Sequence, residues 1–282
     1  GAADMGCQPH QGAGYFPVAD KKIQEFYTEK YGVVHPSKAG LKIPEIFDAA
    51  INREVKAIWI IGEDVVQTDP NSAHVIKAMN ALDLLVVQEI FMSETAKHAD
   101  VVLPGTTFLE KDGTFTNTER RVQRVNKAAE PLPGTKPDGV IVTEMMQKLG
   151  YNQSIYDADE VLAEISEVVP FFKGITRERL GKLGLQWPVK EDGTDTKILH
   201  EKEFKLGKGK IKYFDWKESS EIEKNKKEFP LILTTSRVLQ HYNAATMTRR
   251  TNNIEIVDED ILLINPKDAK FRELNTGDIA RL

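Results

Sequence analysis

The chain has almost no cysteine: Cys7 is alone among 282 residues. A single thiol rules out an intrachain disulfide. It also cannot furnish the roughly four thiolates that an iron–sulfur cluster takes. Cys7 itself reads either as a metal ligand or redox thiol, or as a small bystander with no second cysteine near it. Long apolar runs are missing too. None approaches the roughly 18 residues of a membrane span, so no direct span is expected. No basic stretch followed by an apolar one opens the sequence, so no secretory signal is visible and a cytoplasmic location is expected. Neither sign of charge dominates: 38 basic and 43 acidic residues leave a net −5. That balance gives no reason to expect nucleic acid or an anionic membrane as a partner.

What is present suits a soluble globular protein. The apolar share of 40% and the charged share of 29% are ordinary. The length allows one large or two ordinary domains. The chain does not open on Met, and Thr276 to Leu282 reads as a turn entering a strand. Both ends lead to the expectation of a piece cut from a longer polypeptide.

Periodicity places the elements. Lys21 to Tyr31 has helical spacing, with Ile23, Phe26 and Tyr27 on one face. Ile43 to Ile51 suits a helix with Pro44 in its first turn. Val55 to Ile61 is a short apolar run ended by Gly62, the pattern of a buried parallel strand. Asp69-Pro70-Asn71-Ser72 supplies caps for a helix from about Ala73 to Leu82. Leu84 to Gln88 is the next strand. Ser93 can cap a short helix ending near His98, without a full capping box, because Ala96 stands where Glu or Gln would. Asp100 to Pro104 is a third strand. Strands alternating with helices imply right-handed crossovers and an open parallel sheet.

Phe108 to Val125 is polar and turn-rich, and Pro131 to Pro137 reads as loop. Helices are expected over Val140–Leu149, closed by Gly150, and over Ala158–Val169, stopped by Pro170. Lys202 to Glu228 is highly charged. Its Gly207-Lys208-Gly209-Lys210 reads as an anion site or as a solvated hairpin or linker. Leu231–Thr235, Ile261–Asn265 and the closing segment read as strands, with a short helix opening at Pro266. The expected organisation is an α/β domain over 1–205 with an open parallel sheet and flanking helices. A charged linker or hairpin follows over 206–229, then the start of a β-rich, barrel-like domain over 230–282.

Doubly wound sheets hold ligands in the loops at the carboxyl ends of their strands. Gly62 lets the backbone turn there. Asp64 can accept two hydrogen bonds from the N1–H and 2-amino edge of guanine, a pairing adenine cannot offer. Thr68 can bond phosphate or sugar. Asp64 and Thr68 read equally well as caps of the following helix. Gln88-Glu89 sits on the same rim. Asp138 precedes a helix and reads as its cap or as a ligand contact. Asn117 to Arg121 reads as an anion holder or as surface. Past the Thr234-Thr235 strand end, Arg237, His241 and Asn243 can clamp a pyrophosphate or pterin. His241 taken alone reads as structural.

Ordered islands carry a family resemblance. They begin with Asp4-Met5-Gly6-Cys7-Gln8-Pro9 and Gly14-Tyr15, and continue with Gly62-Glu63-Asp64 and Gln67-Thr68-Asp69-Pro70. Gln88 to Ala96 leads into Ala99 to Pro104. Then come Glu110, Gly113 to Asn117, Arg120 to Gln123, Arg237, His241 to Asn243 and Thr246 to Thr248. This pattern resembles the large subunits of formate dehydrogenases, in the molybdopterin oxidoreductase family. The resemblance implies a molybdenum or tungsten ion held by two pterin guanine dinucleotides, a 4Fe-4S cluster, and two-electron oxidation of formate to CO2. It further implies electron-transfer partner subunits. The family's metal ligand, cluster cysteines and substrate arginine precede the region matched, so no catalytic or metal-ligating residue is assigned here. The cofactor-binding positions carried over are Gly62, Asp64, Thr68, Gln88, Asp138, Arg237, His241 and Asn243. Asn243 replaces a Ser of one relative. Nitrate reductases share much of the later pattern, as does the large complex I subunit, which holds no molybdenum.

Overall fold

A computed structural model describes residues 1–281. The chain divides into two compact units, Gly1–Lys212 and Tyr213–Leu282.

The first unit is built on a parallel sheet of β1 (Ala57–Ile61), β2 (Leu84–Glu89) and β3 (Val101–Pro104), with β2 in the middle. The register sets Ile61 against Gln88 and Gln88 against Leu103. Alternation therefore sends Ile58, Ile60, Leu85, Val87 and Val102 to one face. That face is closed by α2 (Ile43–Ile51) and α3 (Ser72–Asn80) through Phe47, Ala50, Val75, Ala78 and Met79. Val75, Ala78 and Val87 are wholly withdrawn from water, and each buried Val or Leu contributes about 1.5–3 kcal/mol. Trp59, Val86 and Gln88 go to the opposite face.

Polar side chains close the first turns of three helices. The Asn71 side chain accepts the His74 N–H at the start of α3. Asp20 accepts from Lys22 at the start of α1 (Lys21–Tyr31). Glu45 accepts the Lys42 N–H ahead of α2, whose first turn holds Pro44. A second apolar cluster lies around Val122, Leu162, Val169, Phe172, Ile175 and Leu180. It gathers under α5 (Ala158–Val168) and an antiparallel sheet of β4 (Gly113–Thr116), β5 (Arg121–Val125) and β6 (Leu185–Gln186).

The hairpin of β4 and β5 replaces the turn-rich stretch expected over Phe108 to Val125. Its strands are polar, and only Val122 is fully buried, so the apolar run that marks a strand is absent. Arg120, expected at the surface or around an anion, turns inward at the hairpin tip. Its guanidinium bonds the carbonyls of Trp187, Thr196 and Lys197 and lies over the Trp187 ring.

The β-rich C-terminal domain is where structure and expectation differ. Among the described residues the second unit contains no strand. It carries short helices over Ser220–Asn225 and Pro266–Phe271 and turns between Thr248 and Glu255. Leu231–Thr235 and Ile261–Asn265 have strand composition, but neither is paired in a sheet. A strand is a pairing state, and composition does not make one without a neighbour. The closing segment is likewise unpaired through Arg281, and Leu282 lies outside the described residues.

Candidate functional site

Three strand ends make the rim. Past Ile61 the backbone turns at Gly62 with φ +64°, the left-handed region where glycine carries no steric cost. The space around its Cα is open. The Gly62 N–H is held by the Gln88 carbonyl at 2.9 Å and the Gly105 N–H by the Glu89 carbonyl at 3.0 Å, so the loops leave the sheet in fixed positions.

Asp64 and Asp138, both expected to meet a ligand, differ sharply in surroundings. Asp64 is 5% exposed. Its Oδ1 accepts from the Thr95 backbone N–H at 2.9 Å and the Thr95 hydroxyl at 2.6 Å, and its Oδ2 accepts from Gln67 Nε2 at 2.5 Å. The Thr95 hydroxyl in turn accepts the Val66 N–H. This carboxylate fastens the loop after β1 to the connection between β2 and β3. It makes no helix-capping bond. Thr68 does not cap either; its exposed hydroxyl donates to Glu63 at 2.7 Å.

Asp138 is the first residue of α4 (Asp138–Lys148), and its carboxylate does not cap that helix. It reaches across the rim instead. Oδ1 accepts from Gln88 Nε2 at 2.8 Å, and Oδ2 pairs with the Lys111 ammonium. The Asp138 side chain is 38% exposed and that of Lys111 25%. Lys111 also donates to the Thr106 carbonyl at 3.2 Å. Two buried polar atoms here lack partners: Gln88 Oε1 and Thr106 Oγ1. A buried polar atom without a bond costs about 1–3 kcal/mol, so such atoms mark places where a ligand or water completes the network. Next to Asp138, Gly139 is covered by the Tyr156 ring, and a Cβ there would sit 2.4 Å from it. Burial first, then the carboxylates of Asp157, Asp112, Asp159 and Asp138, hold the Tyr156 phenol above its usual range.

In the second unit Arg237 donates to Asn243 Oδ1 at 2.9 Å, and both residues are exposed. His241 is buried. One ring nitrogen meets the Thr248 hydroxyl at 3.0 Å and the other the Val257 carbonyl at 2.7 Å, so both are engaged within the unit. The structural role of His241 is thus accounted for without a ligand.

The structure therefore joins Gln88 with Asp138, sets Gly62 on the same rim, and joins Arg237 with Asn243. Lys111, Thr106, Thr95 and Tyr156 escaped sequence reasoning. Gly139 offered one signal. A glycine in the first turn of a helix is costly and marks a close approach.

This is the rim at which α/β nucleotide-binding proteins hold their ligands, and comparison with known proteins gives the class. Residues 9–148 match the molybdopterin oxidoreductase family, and residues 231–282 match the molydopterin dinucleotide binding domain. The chain belongs to the molybdopterin oxidoreductase family. Among curated relatives, it is 42% identical to the F420-dependent formate dehydrogenase subunit alpha of Methanocaldococcus jannaschii, over 100% of this chain and 42% of that protein. It is 40% identical to the F420-dependent formate dehydrogenase 2 subunit alpha of Methanococcus maripaludis, again over 100% and 42%. The chain thus spans about two fifths of the length of these relatives. The solved structure of acetylene hydratase from Pelobacter acetylenicus shares the fold, with a TM-score of 0.62 at 22% identity over 91% of this chain and 38% of that one. Among the described residues, no helix is long and apolar enough to cross a membrane.

Proposed function

We propose that this chain forms nucleotide-binding walls for molybdopterin guanine dinucleotide in the catalytic subunit of a cytoplasmic formate dehydrogenase. The observation that carries the reading is the Asp138 carboxylate, half-exposed at the sheet rim and held by Gln88 and Lys111 beside two unpartnered buried polar atoms. These residues fit the group. A guanine edge brings N–H donors, and a carboxylate is acceptor-only. Gly62 leaves open space for backbone approach to sugar or phosphate. Thr68 presents an exposed hydroxyl. The second unit, taken by itself, presents Arg237 with Asn243, an exposed charged and amide pair suited to pyrophosphate. Asp64 fixes the loop after β1 that carries the rim, and within the second unit His241 ties its own segment to Thr248 and Val257.

Bound cofactor supplies the molybdenum or tungsten centre through which formate gives up two electrons and a proton to leave CO2. This chain's residues bind and orient the dinucleotide, and the 4Fe-4S cluster and metal ligand belong to other parts of the subunit. The relatives are named as alpha subunits of formate dehydrogenases, which supports both the substrate and the presence of electron-transfer partner subunits. The test is Asp138→Asn in the full-length enzyme. Guanine and molybdenum content of the purified variant should fall together, because the amide presents a donor where the base also donates. Full loading would remove Asp138 from the site. Formate turnover by this chain alone, with a dye acceptor and added cofactor, would overturn its assignment as a binding wall.

A further inference from the structure

We propose that Trp187, Phe171 and Tyr15 form an aromatic relay that carries a one-electron oxidising equivalent to the surface of the first unit, with Asp4 taking the phenolic proton as Tyr15 is oxidised. The relay uses none of the rim residues and stands independently of the dinucleotide reading above.

The three rings form a continuous series. The centroids of Trp187 and Phe171 lie 4.7 Å apart, and those of Phe171 and Tyr15 6.2 Å apart with planes inclined by 29°. Both separations are those of paired aromatic rings. Indole and phenol give up an electron far more readily than a benzene ring. Phe171 is therefore a bridge, and Trp187 and Tyr15 are the places where a hole can rest.

The two differ in their surroundings. The Trp187 Nε1–H is buried and has no acceptor among the described residues. An indole nitrogen can only donate, so an oxidised Trp187 has nowhere in the protein to leave its proton. The Arg120 guanidinium also lies 5.6 Å from the centroid of that ring. A fixed cation favours the electron-rich neutral ring and disfavours a radical cation. A hole formed at Trp187 is thus driven onward.

Tyr15 is the opposite case. Its hydroxyl donates to Oδ1 of the buried Asp4 at 2.5 Å, within the range of a charge-assisted bond. That bond first, and then burial, holds the phenol above its usual range. At neutral pH the electron therefore leaves together with the proton, and the proton acceptor is already in place. Tyr15 is 37% exposed, so this end of the series meets water. The backbone is set for the contact. Tyr15 is a bulky residue at φ +61°, directly after Gly14 at φ +75°. A bulky side chain in the left-handed region is strained, and such strain persists where the surroundings fix the side chain for a task.

The step balances. A diffusing one-electron oxidant, a radical of the reactive-oxygen class, takes one electron from Trp187 and is reduced. Trp187 regains that electron from Tyr15 through Phe171. Tyr15 loses one electron and its phenolic proton, and Asp4 Oδ1 gains the proton. The O–H bond of Tyr15 is the bond broken, and the O–H bond of Asp4 is the bond formed.

The experiment is pulse radiolysis of this 282-residue chain with azidyl radicals, which oxidise tryptophan in preference to tyrosine. All chains carry Trp216→Phe, which removes an exposed indole. Transient absorption follows the tryptophanyl radical as it decays and the tyrosyl radical as it grows. The parent chain should show the two changes at one rate. Tyr15→Phe keeps the ring and removes the hydroxyl, and should slow the tryptophanyl decay at least tenfold. Phe171→Leu should slow it at least threefold, and Asp4→Asn should cut the tyrosyl yield at least threefold. Trp187→Phe should remove most of the fast tyrosyl growth. Tyr213→Phe, which deletes a more exposed phenol, should change neither rate nor yield. Tyrosyl growth that is unchanged in Tyr15→Phe or in Trp187→Phe would overturn the relay. So would a loss in Tyr213→Phe equal to that in Tyr15→Phe.

Discussion

Gln88 and Asp138 stand 50 positions apart in the chain, yet a 2.8 Å hydrogen bond from the amide of one to the carboxylate of the other closes the sheet rim. The bond ties the end of the central strand to the start of α4. It makes the rim a rigid element before any ligand arrives. Asp64, 24 positions before Gln88 in sequence order and on the neighbouring loop, does a different task. Its three internal bonds leave it inside the protein.

That division predicts opposite outcomes for the two aspartates. Thr95→Val keeps the shape but removes the hydroxyl that serves both Asp64 and the Val66 N–H. It should lower unfolding free energy by about 1–3 kcal/mol, and Asp64→Asn should do the same. Urea denaturation measures both. Wild-type stability in either variant would mean that the Asp64 network contributes nothing to the fold.

Much of the first unit was legible because its signals are local. The helix over Lys21–Tyr31 and the one over Ile43–Ile51 stand where spacing and Pro44 put them. The three parallel strands fall within two residues of the apolar runs that announced them. The hairpin of β4 and β5 was not legible, since its residues are polar and its stability comes from pairing. The strands expected after Pro230 failed for the converse reason: apolar composition without a partner. At the site, the residue types at Gln88 and Asp138 were suggestive, but their joining is a tertiary fact. The inward turn of Asp64 is another. No spacing rule says which of two rim carboxylates a threonine will claim.

Gly139 should resist any side chain. A methyl there meets the Tyr156 ring at 2.4 Å, so Gly139→Ala should cost about 1–3 kcal/mol through overpacking. Coupling the change to Tyr156→Ala should cost less than the sum of the two single changes, because the clash is then gone. Strict additivity of the two losses would place the ring elsewhere.

Alkaline pH should expose the buried phenols. Tyr31 is held well above the usual range, by burial first and then by the Glu164 carboxylate. Burial also raises Tyr27, and burial with nearby carboxylates raises Tyr156. A phenol whose folded-state value is raised favours the neutral form in the fold. Its stabilising share is complete below the ordinary value of about 10 and is lost as pH rises through the raised one. Absorbance titration should therefore show tyrosines that ionise only with loss of structure. Simple titration of all seven near pH 10 would contradict the burial described.

Mapping GMP onto the chain by amide chemical shifts is the most direct trial of the rim as a nucleotide site. Shifts should cluster at Gly62, at Gly105 to Lys111, at Asp138 and at the side-chain amide of Gln88. The basic depression lined by Arg124, Arg177 and Lys182 should remain still. Shifts confined to that depression, or none at the rim at saturating GMP, would contradict the account.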